Sequence, residues 1–236
     1  MFRHMSLNRA CALIAASLLG MTALTAVRAQ VGPTPNEAKA YTGLHAAAHH
    51  GDVAQIDKLA AAKADLNARD SFGRTPAHVA TFARQRDALR ALARAGADLN
   101  LLERDRYDCV TIASVADDED TLRTLLSLGA SAKQVTSRYD GSALIAAAHL
   151  GHDGVVRQLI AAGAPLDLVN NLHWTAVIES IVLGNGGARH QATLNALIGA
   201  GANLQLKDRE GKTPLQLAQG RGYAEMVRAL QKAGAR

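Results

Sequence analysis

Aromatic residues are scarce: Phe, Trp and Tyr make up 3% of a chain of 236 residues whose apolar content is 48%. A core so short of large rings must be filled by Ala, Leu, Ile and Val. Small side chains of that kind suit short, closely packed helices better than a β-sandwich. Cysteine is scarcer still. Cys11 falls in an apolar N-terminal run expected to be removed, which leaves Cys109 alone. One cysteine excludes an internal disulfide and reads most simply as a small buried residue. Acidic residues are absent before Gln30, where Arg3, Arg9 and Arg28 lie, so the formal charge of +5 overstates the body of the chain. Without those three, 23 basic residues face 21 acidic ones, a net of +2 that argues against nucleic acid as a partner. Catalytic spacings are missing too. No Gly-x-Ser-x-Gly and no phosphate-cradling loop occurs, and Cys109 has no identifiable His and Asn arrangement, so no enzyme is expected.

What is present begins with an export pattern. Met1–Arg9 is basic, Ala10–Val27 is uncharged and apolar, and Val27-Arg28-Ala29 supplies a cleavage site. Residues 1–29 therefore read as a secretory signal cut after Ala29, which directs the protein to the periplasm with no stable membrane insertion afterwards. The rival is an uncleaved anchor, since 18 uncharged residues approach spanning length. The richness of the run in Ala, Ser, Thr and Gly and its good cleavage site favour removal. Residues 30–40, with Pro33 and Pro35, are expected to be a flexible lead-in.

From Tyr41 onward the sequence repeats. Thr42-Gly-Leu-His45-Ala-Ala47 returns as Thr75-Pro76-Ala-His78-Val-Ala80, then as Asp108–Ala113, Ser142–Ala147, Thr175–Ser180 and Thr213–Ala218. The steps are 33, 33, 34, 33 and 38 residues, giving six copies near 41–67, 70–100, 105–133, 138–167, 171–205 and 208–236. The first residue of each copy carries an oxygen able to cap a helix, and Pro76 and Pro214 occupy first helical positions. Gly96, Gly129, Gly163, Gly201 and Gly234 each precede Ala and mark helix ends, with Lys63 in the first copy's place. Four residues before them stand Leu59, Leu92, Leu125, Leu159, Leu197 and Leu230. Seven before stand Ile56, Leu89, Leu122, Val156, Leu194 and Val227. Residues three apart share a helix face, so every copy predicts a second helix with an apolar seam that only stacking can bury.

The Thr-Pro-x-His motif, the period of 33 and the segment Gly96-Ala97-Asp98-Leu99-Asn100 resemble the ankyrin repeat family, and in overall form exported bacterial members of it. The resemblance covers Tyr41 to Arg236. It implies an all-α solenoid of about six helix–turn–helix repeats, hairpin-like connecting loops and a concave face that binds proteins. It also implies a structural hydrogen-bonding role for His45 and His78. Copy three lacks both Pro and His, copy five carries an insertion around Gly184–His190, and the last helix shows the polar face of a capping repeat.

Nine histidines invite a metal reading, with His45/His49 and His149/His152 at helix-face spacing, but no cysteine or carboxylate cluster accompanies them. The run Asp117–Asp120 lacks a calcium loop's alternation and suits a helix N-terminus. The expected function is therefore protein binding by a monomer, as adaptor, inhibitor or immunity-like module, without cofactor. The alternative is a metal-dependent or enzymatic protein on a repeat scaffold. Binding is expected from the inter-repeat loops, where aromatics and arginines concentrate. The candidate contacts are Phe72, Arg74, Arg106, Tyr107, Arg138, Tyr139, His173 and Trp174, together with Glu179, an acid where other copies hold apolar residues.

Overall fold

A computed structural model of the protein describes residues 32–236, so the expected signal and its cleavage site lie outside the described residues. Among the described residues there are thirteen helices and no strand beyond one isolated bridge. The first, α1 (Pro35–Ala40), lies where a flexible lead-in was expected. Thr34 and Glu37 form a reciprocal capping box around Pro35, which fixes this short turn of helix.

Six helix pairs follow: α2 (Gly43–His50) with α3 (Val53–Ala61), α4 (Pro76–Phe82) with α5 (Arg86–Ala95), and α6 (Cys109–Val115) with α7 (Glu119–Ser127). Then come α8 (Ala143–Leu150) with α9 (Asp153–Ala161), α10 (Ala176–Val182) with α11 (Ala188–Gly199), and α12 (Pro214–Gly220) with α13 (Ala224–Lys232). First helices pack on first helices and second on second, which makes the fold an all-α solenoid.

The caps fall where the motif puts them. The side chains of Thr75, Asp108, Ser142, Thr175 and Thr213 accept from the backbone N–H three residues on; Thr42 alone makes no such bond. At the other end of the pairs, Gly96, Gly129, Gly163, Gly201 and Gly234 are all left-handed, and Lys63 adopts the same conformation at φ 58°. Leu92, Leu125, Leu159, Leu197 and Leu230 are fully buried, as are their partners Ile56, Leu89, Leu122, Val156 and Leu194. Leu59 differs: it is only half-buried, as is Val227 at the other end. Both belong to terminal repeats, which have a neighbouring pair on one side only.

Two departures from the 33-residue step have visible causes. Each connecting loop is closed by one backbone bond: Asp70 N to Arg74 O, Glu103 N to Tyr107 O, Thr136 N to Gly141 O, Asn170 N to Trp174 O and Asp208 N to Lys212 O. The third loop spans one residue more than the others, which accounts for the step of 34. The step of 38 comes from Gly184–Gly187 and the longer α11.

Candidate functional site

The loops form one edge of the stack because the chain ties each tip to the next. Arg104 N donates to Phe72 O (3.0 Å), Ser137 N to Arg106 O (2.8 Å) and Asn171 N to Tyr139 O (2.9 Å). Residues a full repeat apart thereby become neighbours along one ridge. Arginine adds a second set of ties. Arg106 pairs with Asp140 at 2.9 Å while Arg138 pairs with Asp105 at 3.5 Å, two reciprocal ion pairs joining the same two loops. Arg209 Nη2 reaches back to Asn171 O at 2.8 Å.

On this ridge Phe72 and Tyr139 are exposed, Tyr107 and Trp174 are half-buried, and Arg106, Arg138 and His173 are exposed. Burial accordingly raises the Tyr107 phenol above its ordinary range. Arg106 and His173 share a further property. Their φ values are 66° and 65°, at the loop position where Gly73 and Gly211 sit in other copies. A side chain held in the left-handed region costs roughly 1–2 kcal/mol relative to ordinary backbone.

Two expected contacts are not on the surface. Arg74 is 2% exposed and lies in a charged cluster under the first loop. Its Nε meets Asp70 Oδ2 at 2.7 Å and its Nη2 meets Glu37 at 3.4 Å, while Tyr41 Oη donates to Asp70 at 2.7 Å. Burial alone would raise Asp70, but the bonds from Tyr41 and Arg74 outweigh it and hold the carboxylate below its ordinary range. Arg74 thus docks α1 onto the repeats, and a guanidinium so enclosed has no face left for a partner.

Glu179 is likewise buried, at 5% exposure. Asn170 Nδ2 donates to Glu179 Oε1 (2.8 Å), and His149 Nδ1 lies 3.4 Å from Oε2. Asn170 Oδ1 in turn accepts from the backbone N–H of Leu172 and of Trp174, each at 3.0 Å. Glu179 is therefore a loop anchor: it orients the amide that shapes the turn carrying His173 and Trp174. Sequence reasoning missed Asn170. Its signal was an amide standing where other copies place Asp70, Glu103 or Asp208, nine residues before the one acid inside a first helix.

The histidines hold the stack together. His45 Nε2 donates to Arg74 O (2.9 Å) and His78 Nε2 to Tyr107 O (3.2 Å), each crossing to the next loop. His78 Nδ1 accepts from Thr75 N at 3.1 Å, so the ring is neutral, and burial pushes it down to about 4. Copy three, lacking His, bridges with Thr111 Oγ1 to Thr136 Oγ1 instead. His152 Nδ1 donates to Ser114 O and His190 Nε2 to His149 O, both 2.9 Å. Among the described residues no three His, Cys, Asp or Glu side chains converge on a metal position. Cys109 is fully buried, and burial pushes its thiol up to about 12.

The opposite edge carries the short turns between paired helices. Gly51, Gly151 and Gly222 are left-handed there, and copies two and three place Arg84 and Asp117 in that conformation, at φ 56° and 53°. Arg84 pairs with Asp118 at 3.4 Å. Asp117 is held by Arg189 at 2.7 Å, from the insertion of copy five, 72 residues away. Asp118 caps α7 through Thr121 N, and Glu119 and Asp120 fill its first turn, as the acidic run suggested.

Known proteins place this architecture. A family model described as ankyrin repeats in three copies matches residues 12–103, and a single ankyrin repeat model matches residues 140–171. The Escherichia coli (strain K12) ankyrin repeat protein YahD is 35% identical over 190 residues, 80% of this chain and 94% of that protein. The crystal structure of an ankyrin repeat domain from Acinetobacter baumannii AYE is 43% identical, with a TM-score of 0.77 over 82% of this chain and 98% of that one. A chain in the complex of the predatory endopeptidase Bd0816 with the immunity protein Bd3460 of Bdellovibrio bacteriovorus is 25% identical, with a TM-score of 0.66 over 81% and 98% of the two chains. Motif, stacking and relatives agree, and the chain belongs to the ankyrin repeat family.

Proposed function

We propose that this protein is a periplasmic binding module that engages a protein partner, as an inhibitor or immunity-like protein, through the ridge of its inter-repeat loops. The observation that carries the reading is His173. Its backbone is held where glycine would cost less, its side chain is exposed, and its ring makes no hydrogen bond among the described residues. No hydrogen bond or ion pair among the described residues engages that side chain, whereas a contact to another molecule would offset its backbone cost. His173 adjoins Trp174, and Phe72, Arg106, Tyr107, Arg138 and Tyr139 continue the ridge. Aromatic and arginine side chains on a rigid edge have the composition of interface hot spots. A structural neighbour from an endopeptidase–immunity protein complex supports the same class of activity. The periplasmic address rests on the basic, apolar and cleavage-site segments of residues 1–29.

The test is capture of a partner from periplasmic extract with Trp174→Ala and Tyr107→Ala, alongside a melting curve for each. Capture should weaken by about 2 kcal/mol or more where either ring is a hot spot, with the melting temperature nearly unchanged. Capture that survives the double variant, or that falls only as far as the fold is lost, sinks the ridge reading. Intact mass of the exported protein checks the address: it should begin at Gln30.

A further inference from the structure

The cations of the ridge are not equivalent. Arg106 and Arg138 are spent on each other's loops through Asp140 and Asp105, and Lys212 is neutralised by Glu210 at 2.7 Å. Of the ridge arginines, Arg69, Arg104 and Arg209 pair with no carboxylate among the described residues, and the first two stand together at the junction of the first two loops. Arg69 is exposed and uses Nη1 alone, donating to Gly73 O and Leu102 O at 2.8 Å each. Arg104 is exposed, donates through Nη2 to Ser71 O, and stacks its guanidinium over Phe72 at 5.4 Å from the ring centre. Neither pairs with a carboxylate among the described residues, and residues 1–31 contain no acid. Both arginines flank Gly73: a Cβ built there would stand 3.1 Å from Arg104 N and 3.5 Å from Arg69 Nη1. Phe72, 41% exposed, is the most exposed aromatic of the ridge.

We propose that Arg69, Arg104 and Phe72 form an anion-reading end of the ridge that takes an acidic polypeptide segment, a carboxylate beside an apolar residue. This rests on the ridge being the binding surface. The Nε and Nη2 of Arg69 and the Nε and Nη1 of Arg104 point no bond at the protein, so they offer N–H forks to a carboxylate. Phe72 offers its exposed ring beside Arg104, with the buried Arg74 guanidinium 4.6 Å from the same ring centre. A nucleic acid fits less well, because 23 basic residues against 21 acidic ones in the body of the chain leave too little net positive charge to hold a run of phosphates.

The experiment is an NMR titration of the purified protein with a synthetic peptide Glu-Glu-Phe-Glu-Glu, its Gln-Gln-Phe-Gln-Gln analogue and a single-stranded oligothymidylate. The acidic peptide should shift the resonances of Arg69, Phe72, Gly73 and Arg104, and the neutral analogue should not. Arg69→Gln with Arg104→Gln should weaken that binding by about tenfold or more, while Arg221→Gln with Lys232→Gln, exposed cations of the last repeat away from the loops, should leave it within about twofold. Unshifted amides elsewhere in the double variant establish that it is folded. Equal response to the neutral peptide, preference for the oligonucleotide, or shifts confined to Tyr107–Trp174 would each overturn the assignment. The last result would leave the ridge standing as the interface, whereas failure of the ridge itself is read separately from partner capture by the Trp174 and Tyr107 variants.

Discussion

The two edges of the stack solve the same local problem in opposite ways. Each needs a left-handed residue once per repeat, and each uses glycine in some copies and a larger residue in others. On the turn edge the exceptions, Arg84 and Asp117, are tied to Asp118 and Arg189, so their side chains offset the backbone cost inside the molecule. On the loop edge Arg106 is tied to Asp140, but His173 is tied to nothing described. Strain that is repaid internally marks architecture. His173 is the unrepaid case on the loop edge, and the proposed interface rests on it. The turn edge thus holds repeats three to five together, and the loop edge is where the proposed interface lies.

The largest effects belong to the core that both edges share. Leu159→Ala, in the middle of the stack, should cost about 2–5 kcal/mol in urea unfolding. Leu230→Ala should cost less, and half-buried Leu59→Ala less again. Equal losses at all three would mean that stacking does not set the seam's stability.

Next comes the acid response of the loop edge. His78 is buried, neutral and held at about 4, against about 6.5 for an exposed histidine. Between those values the unfolded chain binds a proton that the folded chain refuses. The stability from this site is therefore complete above about pH 6.5 and is lost as pH falls toward 4, by up to about 3 kcal/mol. His78→Gln should flatten that part of the profile, because Gln216 already accepts from Thr213 N in the corresponding place of copy six. A slope that is identical in the variant would assign the acid response to other groups.

The smallest effect draws the edges apart most directly. His173→Gly should hold stability or raise it by up to about 1 kcal/mol, since it releases a left-handed side chain. Asp117→Gly should gain less, because it also severs the bond from Arg189. Partner capture should fall for the first and be unaffected by the second. A loss of stability in His173→Gly would show that its side chain has an internal role after all.

Much of this was legible beforehand because the repeat is a local code. A capping oxygen, a glycine that can turn left-handed and leucines spaced along one helix face act within a few residues, so Thr75, Gly96 and Leu92 could be placed from spacing alone. The exceptions were long-range. Arg74 looked like a ridge cation from its position beside Phe72, yet α1 and Tyr41 enclose it. Glu179 looked like a partner contact from its charge, yet Asn170 and His149 claim it.

The sequence by itself determined the number of repeats, their register, most of their helix ends and which residues line the seam, because each of those follows from chemistry within one 33-residue unit. Only the tertiary structure decided which charges are spent and which are free. Arg189 finds Asp117 across 72 residues and Arg138 finds Asp105 across 33, while Arg69 and Arg104 find no carboxylate. Stacking brings separate repeats within ion-pair distance, and no spacing rule within one repeat specifies which side chains will meet there.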